Sequence, residues 1–276
     1  MKTVLVGVDG SRAASLALSW AVGLVGRLGV DELVIATVYV AEPLDTSGWD
    51  DAHRHAGERL KEWCDAARSV GASYKAVVLD GESGPALLAA AKEQDAALTV
   101  VSRRGRGGFD ALTAGSTAEY LAHHTRRPLA VIPPTGAKSP PTHLLVALDG
   151  SSGATTAAKW AAATAPALNA RVTAVYIHAL PEIFGHVTRY QRTQAEEALT
   201  GWALPLRDAG LAPQCDVLES LHPADALMEL AERCGADLIV VGTRAVGLLR
   251  PIRLGGVTMA LLHHSDVPVV AVPPGG

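Results

Sequence analysis

The chain has 276 residues, enough for two domains at roughly 100–200 residues each. Hydrophobic residues make up 49% and charged residues 19%, but only 4% are aromatic, so cores of Val, Leu, Ala and Ile are expected, as in parallel sheets covered by helices. A net charge of -4, from 24 basic and 28 acidic residues, gives no electrostatic reason to expect a nucleic-acid partner, and no apolar run reaches the roughly 20 residues that span a bilayer.

The opening MKTVLVGVDGS is too short in its apolar part for a secretory signal and reads as a strand entering a turn, so a cytoplasmic location is the expectation. VLVGV is the first strand, ended by Asp9-Gly10-Ser11, and a helical pattern follows to about Gly26. ELVIATVYV is the second strand, followed by an amphipathic helix that carries Trp63. YKAVVLD is the third, and PALLAAAKE opens the next helix with Pro85 in its first turn. ALTVVS is the fourth strand; a Gly-rich loop, the helix STAEYLAHH and a last strand PLAVIP complete the series.

The series is then written a second time. Asp9 and Asp149, Trp20 and Trp160, Gly115 and Gly255, His123-His124 and His263-His264, and Pro128 and Pro268 all stand 140 positions apart. The stretch from Thr135 to Pro141 is the expected linker, placing one domain at residues 1–136 and the other at 141–276. Alternation of strand and helix predicts an α/β fold: two tandem doubly wound domains of flavodoxin or Rossmann type, each a five-stranded parallel sheet with helices on both faces. In such sheets ligands bind beyond the carboxyl ends of the strands, where strand order reverses.

Two loops therefore matter in each half. In Gly7-Val8-Asp9-Gly10-Ser11 the Asp9 carboxylate accepts either a ribose or base-edge hydrogen bond or the first N–H groups of the next helix, with Ser11 competing as the cap. After the fourth strand, Ser102-Arg103-Arg104-Gly105-Arg106-Gly107-Gly108 leads to a helix opening at Gly115-Ser116-Thr117. Glycines admit a phosphate close to the backbone, and helix N–H groups attract an anion. The competing reading is a capping box of Ser116 with Glu119, which satisfies the same N–H groups internally.

Other residues have plainer readings. Trp20 and Trp160 are expected as core anchors, and the His pairs as favourable charge at helix C-termini rather than metal ligands. Cys64, Cys215 and Cys234 are expected as buried free thiols, without C-x-x-C spacing. Neither a Walker-type G-x-x-x-x-G-K-[ST] nor a G-x-G-x-x-G after the first strand is present, which disfavours a Walker ATPase and a dinucleotide oxidoreductase.

The first-strand Asp, the Gly loop after the fourth strand and the final P-[LV]-x-V together resemble the universal stress protein family, once per half and over nearly the whole chain. By that resemblance the fold is adenine-nucleotide-alpha-hydrolase-like, and ATP, with or without Mg²⁺, is the implied ligand. ATP-binding members carry Gly, two residues, Gly, nine residues, then Gly-Ser or Gly-Thr. Here the frame falls on Ser102, Gly105 and Gly115-Ser116, with serine at the first glycine; in the second half it falls on Gly242, Ala245 and Gly255-Gly256. The resemblance implies adenine near Gly7, Val8, Asp9 and Val40, ribose near Ser102, and phosphates over Gly105, Gly115, Ser116 and Thr117. Its second-half set is Leu148, Asp149, Ile177, Gly242, Gly255 and Val257, with the first half as the better site. It further implies a stress-response regulator with an unidentified protein partner, halves that pair through their last strands, and a possible homodimer. The alternatives are an interaction scaffold that binds no nucleotide, and a slow ATP hydrolase or autophosphorylating protein resting on Ser116.

Overall fold

The computed structural model describes residues 2–39, 63–65, 68, 73–105, 114–179, 189–243 and 255–274. It divides into two compact units, Met1–Pro140 and Pro141–Gly276. In the first, β1 (Lys2–Val8), α1 (Arg12–Val22), β2 (Val30–Tyr39), β3 (Ser73–Asp80), α2 (Ser83–Glu93), β4 (Ala96–Ser102), α3 (Ser116–His124) and β5 (Leu129–Ile132) follow one another. Trp63, Cys64, Asp65 and Arg68 are helical between β2 and β3. The second unit has β6 (His143–Ala147), α4 (Ser152–Leu168), β7 (Arg171–Ala179), α5 (Arg189–Trp202), α6 (Leu204–Asp208), β8 (Gln214–Ser220), α7 (Pro223–Cys234), β9 (Leu238–Gly242), α8 (Gly256–His264) and β10 (Val269–Val272).

All strand pairs within each unit are parallel, in the orders β3-β2-β1-β4-β5 and β8-β7-β6-β9-β10. Each unit is thus a five-stranded doubly wound α/β sheet. Val4 to Val8 and Leu144 to Val146 are buried on both faces, which is why the central strands are unbroken apolar runs rather than alternating ones. Strand β3, at an edge, is half-buried to exposed along its length. The chain leaves β1 for β2 and returns on the other side of β1 at β4, so strand order reverses between β1 and β4; in the second unit it reverses between β6 and β9.

Helix ends follow local chemistry. Ser11 Oγ accepts from the Ala14 N–H at 3.1 Å, and Ser151 Oγ from the Ala154 N–H at 3.1 Å, so a serine caps the first helix of each unit. Helix α1 stops at Val22 with Gly23 as its C-cap, four residues short of Gly26. Helix α4 ends at Asn169, a left-handed residue with φ 53°.

Glycines set how closely the layers approach. A Cβ on Gly84 of α2 would meet the Tyr120 ring of α3 at 2.6 Å. In the second unit Gly242, ending β9, lies directly on the backbone of Gly153 in α4, and Gly153 lies on the Thr243 carbonyl. A row of buried alanines, Ala154, Ala157, Ala158, Ala161 and Ala165, keeps α4 low on the sheet.

Two expectations require correction. Trp20 is buried, at 1% exposure, but Trp160 is only half-buried, so the repeated tryptophan does not repeat its environment. Of the free cysteines only Cys64 is buried; Cys215 and Cys234 sit at intermediate depth. Burial pushes the Cys64 thiol pKa up, against the pull of the Arg68 guanidinium, which keeps it protonated and unreactive. His124 serves its own helix, stacking on Tyr120 with 4.1 Å between ring centroids and meeting the Tyr120 carbonyl through Nδ1 at 2.7 Å.

Replacing Gly153 by alanine forces a methyl into the Thr243 carbonyl and should destabilise the second unit by roughly 1–3 kcal/mol. Gly256→Ala, at an open helix position, should stay within about 0.5 kcal/mol of wild type. Urea unfolding of the two variants checks this; equal effects would contradict the packing described.

Candidate functional site

In the first unit the loops after β1 and β4 meet. Gly10 takes the left-handed conformation, φ 85°, and turns the chain so that Asp9 Oδ1 accepts from the Ser11 N–H at 2.9 Å. Ser11, not Asp9, caps α1. The second carboxylate oxygen, Oδ2, lies against Gly105, so close that a Cβ there would overlap it. Gly105 does not have positive φ; what stands in its side-chain direction is the far end of the Asp9 side chain, which a Cβ would push aside. Ala245, at the matching position of the second unit, lies outside the described residues, as do Arg106, Gly107 and Gly108.

The far end of the same loop is clamped. The Arg103 N–H donates to the Ile132 carbonyl at 2.7 Å, and the Gly115 N–H to the Arg103 carbonyl at 2.7 Å. That second bond holds Gly115 extended, φ -65° and ψ 153°, as the N-cap of α3. The helix therefore begins one residue earlier than a Ser116–Glu119 capping box requires. Ser116 is exposed at the first helical position, and the N-cap residue is a glycine, which brings no side-chain cap. Thr117 follows, half-buried.

The remaining expected residues occupy different settings. Gly7 is buried with Leu87 of α2 in its side-chain direction, at 2.8 Å from a would-be Cβ, so in the fold it lets α2 close on β1. Val8 is buried at the end of β1. The Ser102 hydroxyl donates to the Arg104 carbonyl at 2.5 Å and folds the loop start onto itself. Val40 lies outside the described residues. Of the three loop arginines that the sequence offers as donors to a phosphate, Arg104 has its Nε shielded from solvent and meeting no acceptor among the described residues, beside Gly105. Arg103, at 7% exposure, belongs to the packed part of the loop.

The second unit keeps the backbone plan and changes the side chains. Asp149 Oδ1 accepts from the Ser151 N–H at 3.0 Å, and Gly255 caps α8 with φ -63° and ψ 150°, again without a side-chain cap. Leu148 is buried, its N–H bound to the Val175 carbonyl at 2.8 Å, and Ile177 is half-buried on β7. Gly242, where the first unit has Ser102, is covered by the Gly153 backbone, and the Thr258 hydroxyl donates to the Gly242 carbonyl at 3.2 Å. The matching first-unit residues are Ala13 and Ala118. Gly256 and Val257 replace the Ser116-Thr117 hydroxyls. The Trp202 ring lies 2.7 Å from a would-be Cβ on Gly150 and packs edge-on to Tyr176 with 5.1 Å between centroids, bridging the β6–α4 turn and β7.

The capping assignment has a direct consequence. Ser11→Ala should lower the stability of the first unit by about 1 kcal/mol, whereas Ser116→Ala should leave it within about 0.5 kcal/mol. Thermal denaturation of both variants checks this; a larger loss from Ser116→Ala would restore the capping box.

Among the described residues no helix is long and apolar enough to cross a membrane. The sequence profile described as "Universal stress protein family" matches residues 1–133 and again 141–273. A universal stress protein of Mycobacterium tuberculosis is 30% identical over 292 residues, covering 97% of this chain and 95% of that protein. Another from the same organism is 26% identical over 308 residues, covering 97% and 93%. The crystal structure of a universal stress protein from Archaeoglobus fulgidus superimposes with a TM-score of 0.76 at 18% identity, over 99% of this chain and 98% of that one. With the family matched once per unit and the fold shared end to end, this chain belongs to the universal stress protein family as a tandem, two-domain member.

Proposed function

We propose that the first unit binds an adenine nucleotide, ATP carrying Mg²⁺, and that the protein is a nucleotide-responsive regulator of a stress response. The observation that carries this reading is the convergence of the Asp9 and Gly105 loops beside the start of α3, whose N-cap is a glycine. An anion set there meets the N–H groups of the first helical turn, and the positive end of the helix favours negative charge. Arg104, whose Nε has no acceptor among the described residues, stands next to Gly105 as a further donor. The Asp9 carboxylate, oriented by the turn bond to Oδ1, is the acceptor for a ribose hydroxyl or an adenine amino group. The Ser102 hydroxyl, whose proton is given to the Arg104 carbonyl, keeps its lone pairs to accept from a ribose hydroxyl.

The second unit supports binding less well. Its Gly242 is covered by α4, and its helix start lacks the hydroxyls of Ser116 and Thr117. One nucleotide per chain is the expected stoichiometry. The reading assigns binding and no catalytic residue: a ligand that prefers one conformation shifts the population toward it, which is sufficient for a switch.

Isothermal titration of ATP with Mg²⁺ into the nucleotide-free chain tests this. Saturable binding at one site, weakened at least about tenfold, or about 1.4 kcal/mol, by Asp9→Ala or Gly115→Val and unchanged by Asp149→Ala, is expected. Absence of binding in the wild type, or an equal loss in Asp149→Ala, would overturn it.

A further inference from the structure

The linker enters the second unit through a polar latch on Asp237, whereas in the first unit the matching Lys2 N–H is held by Asp31 at 2.9 Å. Asp237, just before β9, receives the Thr142 N–H on Oδ1 at 2.8 Å and on Oδ2 at 3.0 Å. It also receives the Thr142 hydroxyl at 2.8 Å and the His143 N–H at 2.8 Å. The Asp237 N–H returns to the His143 carbonyl at 3.0 Å, and the Arg171 N–H donates to the Thr142 carbonyl at 3.0 Å. At the centre is the His143 imidazole, 4% exposed. Its Nε2 meets the buried Thr173 hydroxyl at 2.9 Å, while Nδ1 is buried with no hydrogen-bond partner among the described residues. The neutral ring meets the Thr173 hydroxyl as donor or acceptor according to its tautomer, since the hydroxyl can play either part.

The surroundings oppose a second proton. Burial lowers the His143 pKa first and the Arg171 guanidinium on β7 adds to it; the Gly235 carbonyl, the Asp237 carboxylate and the Cys234 carbonyl push the other way and lose. A proton on Nδ1 would need one of the carbonyls ending α7, yet the Cys234 carbonyl already accepts from the Arg171 guanidinium at 3.0 Å. Charging the ring therefore sets two cations in competition for one acceptor in a buried site.

We propose that His143 makes the linker end of the second unit acid-sensitive: proton uptake on the buried ring displaces Arg171 from the Cys234 carbonyl, opens the Thr142–His143–Asp237 latch and frees the start of β6. The first unit has Thr3 in place of His143 and Ala97 in place of Asp237, and stays closed. The sign follows from linkage. With the folded-state pKa lowered from the usual value near 6.5, the unfolded segment binds more protons in mild acid, so the stabilisation is complete above that value and is lost as pH falls below it.

Hydrogen exchange of the full chain at pH 7.5 and 5.5, corrected for intrinsic rates, reads this directly. Protection at Leu144 and Leu145 should drop severalfold, up to about tenfold, the proton uptake of an unperturbed imidazole over that interval. Leu5 and Val6 of β1 should not change. In His143→Gln, which keeps a donor toward Thr173 but cannot titrate, the drop should vanish. An undiminished drop in His143→Gln, or equal loss of protection in β1, would overturn the proposal. Should that variant fail to fold, titration of the His143 ring protons by NMR in the wild type decides: an apparent pKa at or above about 6.5 sinks the latch.

Discussion

At the point where each sheet reverses its strand order, the loop after the first strand must pass the loop after the fourth at near-backbone distance, and what stands in that gap decides what the unit can hold. In the first unit the gap is filled by one carboxylate oxygen. Asp9 Oδ2 rests on Gly105, where a Cβ would displace it, while Oδ1 is held by the turn that leads into α1. The clamp of Gly115 on the Arg103 carbonyl then fixes where α3 begins, and with it the direction of its first N–H groups. The candidate site follows from these two constraints.

The second unit shows how the same plan is spent differently. A glycine pair, Gly153 and Gly242, lets α4 settle onto the end of β9, and Thr258 secures the Gly242 carbonyl. This close packing covers the end of β9 with the backbone of α4. Its linker end is built from charge and hydrogen bonds around His143 and Asp237, where the first unit has Thr3 and Ala97 and holds the Lys2 N–H with Asp31 instead. Duplication preserved the strand order and the helix starts and left each unit free to specialise.

The fold was legible because its signals are periodic and repeated. Unbroken apolar runs marked the buried strands, Pro and Gly marked the breaks, and the 140-residue offset set one unit against the other. Details set by tertiary contact were not legible. S-x-x-E spacing fits a capping box at Ser116, but a hydrogen bond from Gly115 to a residue twelve positions earlier moves the helix start by one. Gly7 reads as part of a binding loop, yet Leu87, eighty positions on, occupies its side-chain direction. Likewise Trp160 shares its position with Trp20 but not its burial. The pairing of Gly153 with Gly242 was visible in principle as two small residues replacing Ala13 and Ser102 at matched positions.

Photolabelling with an azido-adenosine triphosphate, followed by peptide mapping of the intact chain, tests the central claim most directly. Label displaced by unmodified ATP and confined to first-unit peptides around Asp9 and Gly105 to Thr117 is the predicted result. Label in the matching second-unit peptides, or label that ATP does not displace, would contradict the account.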